Sequence, residues 1–355
     1  MALKYRRYVV GEIKPGMVLG TDALSADGKV MLSAGTVFTE ATIRLLAAWG
    51  FDSAIILEDE AVGDEVREKR LSERMLFNAK YEETVSMVRD AFDQIRYFEE
   101  VPLKKMQHLS ENALLTLTAT PGALGYLHSL RDVDNYTFQH SVNVAIISGV
   151  LSRWLGDDGE RMRDMVLAGL LHDVGKAMVP LEILNKPGQL TPAEMEVMQK
   201  HSAYGYEMLK KAKVLAGDVL AGVWQHHERL DGSGYPRGLR GGNILPSARI
   251  IAISDIYDAM TSDRIYRLKM TPFHVIKTLF ENMFDKLDAS MCTIFLNNLK
   301  DYFVGTTVEL SDGRLAEVIF MDWISWDRLT VRTSDGECIQ LGEHAEQKIV
   351  RCLQA

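Results

Sequence analysis

The chain has 355 residues and a formal net charge of −9 at pH 7, with 47% hydrophobic and 25% charged residues. This composition is ordinary for a globular protein of two or three domains, and the negative charge argues against a broad basic surface that coats DNA. Cys292, Cys338 and Cys352 form no CxxC pair, so neither a disulfide framework nor a zinc knuckle is expected. No stretch reaches the ~20 apolar residues of a membrane helix, and the apolar run near the N-terminus is too short for a signal peptide. We therefore expect a protein of a reducing, bacterial-type cytoplasm, with no membrane insertion and no DNA partner.

Residues 1–62 predict a small α/β unit. Asp27-Gly28 separates two short runs in the manner of a β-hairpin. Thr39 begins an amphipathic helix that ends at Gly50, and the apolar run 53–57 is typical of a strand. This segment offers no catalytic chemistry, so we expect an input or interaction unit.

Residues 63–121 predict a helical linker. Apolar residues recur three or four positions apart from Val85 to Ile95, which indicates a helical stripe. Such a stripe more often packs on its own domain than forms a coiled coil, so a homodimer through this segment is the less favoured interpretation. Pro121-Gly122 ends the pattern.

Residues 122–302 read as helix after helix, and residues 303–355 as a small β domain. In the latter, short apolar runs are separated by Asp312-Gly313 and Asp335-Gly336. The predicted fold class is therefore mainly α, with a small α/β unit before the helical block and a small β domain after it.

The helical block contains the stretch Leu171 to Lys176. His172 and Asp173 are a nitrogen and an oxygen ligand for a transition metal, and Lys176 adds a positive charge one helical turn later. A helix end with a solvated aspartate and a C-cap glycine at Gly175 would explain the same residues. This stretch alone does not decide between the two interpretations.

Four more histidines and an aspartate in the same block favour the metal. His140 and His201 lie on amphipathic or apolar helices, where a single histidine is usually structural. Both members of the pair His226-His227 can reach one metal only near a helix end or bend, because neighbouring helix positions diverge by about 100°. Asp255 follows a run of buried character, where an unpaired carboxylate is costly and a metal would remove that cost. Ionisable groups on five helices suit a metal site in a bundle core.

The block from about 132 to 267 resembles the HD-GYP domain, a branch of the HD phosphohydrolase superfamily. The order and spacing of five stretches match that family: NYTFQHSVNVA (135–145), LHDVGK (171–176), PLEILNKPGQLTPAEMEVMQKH (180–201), HHERLDGSGYP (226–236) and ARIIAISDIYDAMTSDRIYR (248–267). The resemblance implies an all-helical HD-type metal-binding bundle with cyclic dinucleotide phosphodiesterase activity, typically on the second messenger cyclic di-GMP.

The resemblance also implies roles for individual residues. Asp173 would bridge two metals, one bound by His140, His172 and Asp255 and the other by His201, His226 and His227. Lys176 would contact the scissile phosphate or help the leaving group, and Asp173 and Lys176 are the predicted catalytic residues. Tyr235 lies in the GYP loop that borders the site, and Arg264 and Arg267 match positions that bind substrate phosphate and guanine.

Two divalent transition metals per chain are expected. Nitrogen and oxygen ligands suit iron, which family precedent favours, and also manganese, nickel or zinc. Some relatives bind a third metal through a glutamate four residues before the first histidine. Here that residue is Tyr136, whose phenol has an unperturbed pKa of about 10 and brings no charge at pH 7.

The implied reaction uses a hydroxide shared by the two metals, because they lower the pKa of a bridging water. In-line attack would expel the 3′ oxygen and give linear pGpG, and a second cut would give GMP. A phosphodiesterase specific for 3′,3′-cyclic GMP-AMP is a close alternative, since no identifiable residue dictates two guanines. A non-catalytic sensor or scaffold is disfavoured because all seven ligands are present, and a nucleotide phosphohydrolase of the wider superfamily is disfavoured by the HHxxxDGxGYP stretch.

Overall fold

The computed structural model describes the following residues: 4–21, 23–25, 30–32, 36, 38, 40–58, 64–98, 100–130, 136–261, 272–303, 306–321, 329–342 and 345–353. Its helices are α1 (Glu40–Ala48), α2 (Asp64–Phe98), α3 (Leu103–Leu109), α4 (Leu115–Ala119), α5 (Ala123–Ser129), α6 (Tyr136–Trp154), α7 (Gly159–Leu171), α8 (Leu181–Leu184), α9 (Pro192–Gln199), α10 (His201–Lys210), α11 (Gly217–Gln225), α12 (Pro246–Thr261), α13 (Pro272–Asn282) and α14 (Ala289–Phe303). Its strands are β1 (Lys4–Val9), β2 (Val18–Leu19), β3 (Ala23–Leu24), β4 (Val30–Leu32), β5 (Ser53–Glu58), β6 (Thr307–Leu310), β7 (Leu315–Met321), β8 (Leu329–Thr333), β9 (Cys338–Leu341) and β10 (Ile349–Leu353). The fold is mainly α with two small strand-containing parts, which confirms the predicted class. Among the described helices, none combines the length and the apolar character needed to cross a membrane.

The chain divides into two compact units. The small unit takes in Met1–Met75, Thr271–Phe273 and Leu299–Ala355, and the helical unit takes in Leu76–Met270 and His274–Asn298. This division by contacts groups the two strand-containing parts together. The four-segment division at 62, 121 and 302 remains a prediction from the sequence.

The small unit contains a three-stranded sheet in the order β1-β5-β2, a five-stranded sheet in the order β10-β6-β7-β8-β9, and the hairpin β3-β4. The chain ends are joined in it, because Glu309 of β6 accepts hydrogen bonds from Arg7 of β1 (2.6 Å) and from Arg351 of β10 (2.8 Å). Tyr5 and Ile55 are buried together and contact Leu315. Strand β1 was not predicted, because its charged residues interrupt the apolar pattern.

Helix α6 is the centre of the helical unit. Val142 and Ile146 on one face of this helix and Val144 on the opposite face are all 0% exposed, so the helix is covered on both sides. Gly169 of α7 lies against it so closely that a Cβ there would be 2.7 Å from the Cα of Ala145. Because only a hydrogen fits, the two backbones touch, and the end of α7 comes beside the middle of α6.

Helix α2 covers the helical unit with its apolar stripe. Val88 and Ile95 are 0% exposed, and Val85 and Phe92 are also buried. Near the end of the helix, Arg96 donates hydrogen bonds to the carbonyl oxygens of Lys176 (3.2 Å) and Val179 (3.4 Å). The stripe is therefore part of the core of the chain.

Candidate metal centre

Helix ends bring most of the predicted ligands together. Helix α7 ends at Leu171, α11 ends at Gln225 and α10 begins at His201. His172 and Asp173 therefore follow directly after α7, and the pair His226-His227 follows directly after α11. The departure from helical geometry at these ends lets two neighbouring residues face one cavity.

The seven predicted ligands form two adjoining groups. Asp173, His201, His226 and His227 make up the second group, and His140, His172 and Asp255 make up the first; within each group, the candidate ligand atoms lie within 4.8 Å of one another. Asp173 also faces the first group, since its Oδ2 is 3.2 Å from His172 Nε2 and 3.6 Å from His140 Nε2. Its other oxygen, Oδ1, is 3.3 Å from His201 Nε2.

Backbone carbonyls orient three of these histidines. The Nδ1 of His172 donates to the carbonyl oxygen of Gly169 (2.8 Å), that of His201 to Met198 (2.8 Å), and that of His226 to Val223 (2.9 Å). In each case the acceptor lies three residues earlier. An Nδ1 that donates leaves the Nε2 of a neutral imidazole with a lone pair, which is the arrangement of metal-binding histidines.

The lone pairs of His201 and His226 point at each other. Their Nε2 atoms are 3.3 Å apart, and neither carries a proton to share when both Nδ1 atoms donate elsewhere. Burial lowers the pKa of His201 to about 4 and that of His226 well below the usual range, so both rings are neutral at pH 7. Two buried lone pairs that face each other repel unless a cation lies between them.

Further buried polar atoms at the centre fit a cation. His172 Nε2 and Asp173 Oδ1 are buried and make no hydrogen bond in the described part of the chain. Two donor atoms about 2.1 Å from one transition-metal ion and about 100° apart are about 3.2 Å from each other. The 3.1 Å between His140 Nε2 and Asp255 Oδ1, two donor atoms of the first group, is compatible with such spacing. The residues therefore fit a pair of divalent transition metals.

The two carboxylates are ionised. Burial would raise the pKa of Asp173, but His172 and Lys176 outweigh it and hold this pKa well below the usual range. Burial would also raise the pKa of Asp255, but the hydrogen bond with His140 outweighs burial and holds this pKa well below the usual range. Burial would lower the pKa of His140, but its hydrogen bonds with Asp255 and Asp258 raise it to about 9. Without a metal, the first group thus holds a proton on His140.

Two predicted substrate-binding residues border the cluster. The Nζ of Lys176 donates to Asp173 Oδ2, and the side chain of Lys176 is 25% exposed, so it lies at the edge of the ligand cluster. The ring of Tyr235 is 4.5 Å from that of His227 and inclined by 30° to it. Arg264 and Arg267 lie outside the described residues, as does the side chain of Tyr136.

Two carboxylates near the site were not predicted from the sequence. Asp258 accepts a hydrogen bond from His140 Nδ1 (2.6 Å) and lies one helical turn after Asp255 on the same buried helix, a spacing that could have revealed it. Glu228 is 2% exposed and accepts the backbone N–H groups of Arg237 (2.7 Å) and Leu239 (2.8 Å), so it holds the loop that carries Tyr235. No local sequence signal identifies this role of Glu228, because the backbone groups that donate to it lie nine and eleven residues later in the chain.

Comparison with known proteins agrees with this geometry. Residues 127–291 match the HD domain family. A cyclic di-GMP phosphodiesterase of Pseudomonas aeruginosa is 37% identical over 235 residues, which are 66% of this chain and 56% of that protein. The 3′3′-cGAMP-specific phosphodiesterase 1 of Vibrio cholerae is 39% identical over 171 residues, 47% of this chain and 39% of that protein. The chain thus spans about half the length, or less, of these curated relatives.

A solved structure shares the fold. The HDG“Y”P protein of Bdellovibrio bacteriovorus superposes with a TM-score of 0.54 at 18% identity, covering 84% of this chain and 100% of that one. The helical unit thus combines a match to the HD domain family with a His-Asp pair and four further histidines in one cluster, an arrangement compatible with a divalent metal site. Over residues 127–291 the chain is similar to the HD domain family, and the names of these relatives support the HD-GYP assignment made from the sequence.

Proposed function

We propose that this protein is a metal-dependent phosphodiesterase that hydrolyses cyclic di-GMP to linear pGpG, and further to GMP. The observation that carries the proposal is the pair of adjoining ligand groups that share Asp173, with Lys176 at the edge of the same cluster. The names of the relatives in Pseudomonas aeruginosa and Vibrio cholerae support a cyclic dinucleotide as the substrate class.

The metals would be held by the seven ligands already described, with iron favoured and manganese, nickel or zinc as alternatives. Bound there, two divalent ions would activate a water molecule and neutralise charge on the phosphate. Asp173 is ionised and in contact with donor atoms of both groups, so it would contribute to both sites.

The residues at the edge of the cavity would bind and orient the substrate. Lys176 offers its ammonium group to the scissile phosphate, where it stabilises the charge that develops on the oxygens. Its position is held by Asp173 Oδ2 and by the hydrogen bond from Arg96 to its own backbone carbonyl. The ring of Tyr235 offers an apolar face next to His227 for a base or ribose, and Arg264 and Arg267 would bind phosphate and guanine.

A second substrate is supported by the comparisons. Relatives specific for 3′3′-cGAMP are as similar to this chain as those that act on cyclic di-GMP, at 39% and 37% identity. A cyclic dinucleotide with one adenine and one guanine is therefore the alternative substrate. Cytoplasmic location and a homodimer through the helices of 64–117 stay predictions from the sequence.

The decisive experiment measures turnover of both dinucleotides. Protein purified anaerobically and loaded with Fe(II) or Mn(II) is incubated with cyclic di-GMP and with 3′,3′-cyclic GMP-AMP, and the products are separated by chromatography. We expect linear dinucleotide from cyclic di-GMP and a slower reaction with the mixed substrate. Faster cleavage of the mixed substrate would establish the alternative, and tight binding of either nucleotide without product would indicate a sensor.

A further inference from the structure

A line of buried hydrogen bonds connects helix α2 with the metal centre. The hydroxyl of Tyr81 donates to Asn143 Oδ1 (2.8 Å), and Asn143 Nδ2 donates to Asp258 Oδ1 (2.8 Å). The other oxygen of Asp258 accepts from His140 Nδ1 (2.6 Å). The exposed fractions of Tyr81, Asn143 and Asp258 are 1%, 8% and 3%, so water does not compete for these groups.

The direction of the line follows from the chemistry of its members. The Oδ1 atom of Asp258 accepts its hydrogen bond from Asn143 Nδ2, so it faces the NH2 side of the Asn143 amide. This leaves the amide oxygen facing Tyr81, and the phenol must then donate. If the phenolic hydroxyl is removed, the amide of Asn143 loses the partner that opposes its rotation, and Asp258 loses a fixed donor.

His140 differs from three other ligands in how it is oriented. His172, His201 and His226 donate from Nδ1 to carbonyl oxygens of their own chain segments, three residues earlier. His140 donates to a side chain that comes from another helix, α12. The orientation of its ring therefore depends on whatever fixes Asp258.

From these contacts we propose that Tyr81 is a positioning residue for the metal ligand His140 and acts on it through Asn143 and Asp258. The proposal rests on the metal site of the proposed function, but not on its substrate. Helix α2 is 35 residues long and contains both Tyr81 and Arg96, whose guanidinium contacts the backbone of Lys176. The same helix thus fixes one residue of each kind, a metal ligand and a substrate-binding lysine.

The test compares the metal binding of Tyr81→Phe with that of the wild type. Full-length protein is titrated anaerobically with Co(II) and followed by its visible absorption and by calorimetry, without nucleotide. Outer partners of metal ligands typically change metal affinity about 10- to 100-fold. We expect metal affinity to fall about 10- to 100-fold in Asp258→Asn. Tyr81 is two hydrogen bonds further from His140 than Asp258, so we expect a smaller fall of about 3- to 10-fold in Tyr81→Phe. In both variants one of the two binding steps should weaken and the other stay unchanged.

Tyr126→Phe is the matched control. Tyr126 also belongs to the helical unit and its ring lies 5.1 Å from that of Phe77, which in turn stacks on Tyr81 at 6.3 Å. Like Tyr81→Phe, this substitution removes one phenolic hydroxyl from the aromatic cluster. Because Tyr126 is not a member of the line from Tyr81 to His140, both binding steps should stay unchanged. The thermal stability of the metal-free proteins is measured in parallel, to separate a general loss of stability from an effect on one site.

A spectroscopic signature distinguishes positioning from structure. In the Co(II) protein, the paramagnetically shifted Nδ1–H resonance of His140 should move and exchange faster with water in Tyr81→Phe, while those of His172, His201 and His226 stay in place. Two unchanged binding steps and an unchanged His140 resonance in Tyr81→Phe would overturn the proposal. A wild type that binds no Co(II) pair would instead refute the metal site on which the proposed function rests.

Discussion

Replacing Asp173 with alanine should remove metal from both ligand groups at once. In the described structure Asp173 Oδ1 lies 3.3 Å from His201 Nε2, and Oδ2 lies 3.2 Å from His172 Nε2. Each group thus has four donors when Asp173 is counted in both. The substitution takes one donor in four from each metal.

The size of the effect follows from this count. Four-ligand sites for a divalent transition metal have apparent binding free energies of about 10–16 kcal/mol, or about 2.5–4 kcal/mol per donor. At about 1.4 kcal/mol for each factor of ten, we expect affinity to fall by about two to three orders of magnitude at each site. Turnover should fall below detection at micromolar metal, because Lys176 alone cannot activate water.

The assay is metal analysis of anaerobically purified protein, followed by turnover at a fixed free metal concentration. Asp157→Ala is the matched control, since Asp157 pairs with Arg161 at 3.1 Å and accepts a hydrogen bond from Ser152 in the same unit. It should retain metal and activity. Retention of two metals and full turnover by Asp173→Ala would show that Asp173 is not shared between the groups.

Three further changes test other parts of the site. Glu228→Gln should raise KM and leave the metal content unchanged. It weakens two charge-assisted hydrogen bonds that hold the Tyr235 loop, each worth about 1.5–3 kcal/mol. Steady-state kinetics and metal analysis measure the two outcomes. Since the pKa of His140 is about 9 without metal, binding to the first group should release a proton, and apparent affinity should fall about tenfold for each pH unit below 9. Calorimetry in buffers of different ionisation enthalpy measures that proton, and pH-independent binding would contradict it. Gly175→Ala should lower metal affinity at the second group, because a Cβ at this position would overlap the carbonyl oxygen of His201. A Co(II) titration identical to that of the wild type would rule out this close contact as a determinant of the site.

Much of the helical unit could be predicted from the sequence, because its elements carry strong local signals. The capping box of Thr191 and Glu194 is present at the start of α9, and the adjacent histidines His226 and His227 lie at a helix end, as their spacing required. The turns Asp312-Gly313 and Asp335-Gly336 separate strands where the pattern predicted them.

Features that depend on distant partners were not predictable in this way. Strand β10 is only five residues long and was not predicted, and it pairs with β6 rather than with β9, its neighbour in sequence. The spacing of Asp258 from Asp255 indicates that the two share a helix face, but its partner His140 is 118 residues away and could not be identified from the sequence. A local pattern specifies a helix or a turn, but a buried polar contact between two helices is fixed only when both have packed.

The two ligand groups should differ in how well they tolerate sequence change. Residues 198 and 223 orient His201 and His226 through their carbonyl oxygens, and a carbonyl is present whichever side chain occupies the position. Side chains there can therefore vary with little effect on the metal ligands, provided that the helix keeps its course. The first group instead needs particular functional groups at Asn143 and Asp258, neither of which binds a metal. In a library of random variants, loss of the first metal should consequently arise from more positions outside the ligand set than loss of the second.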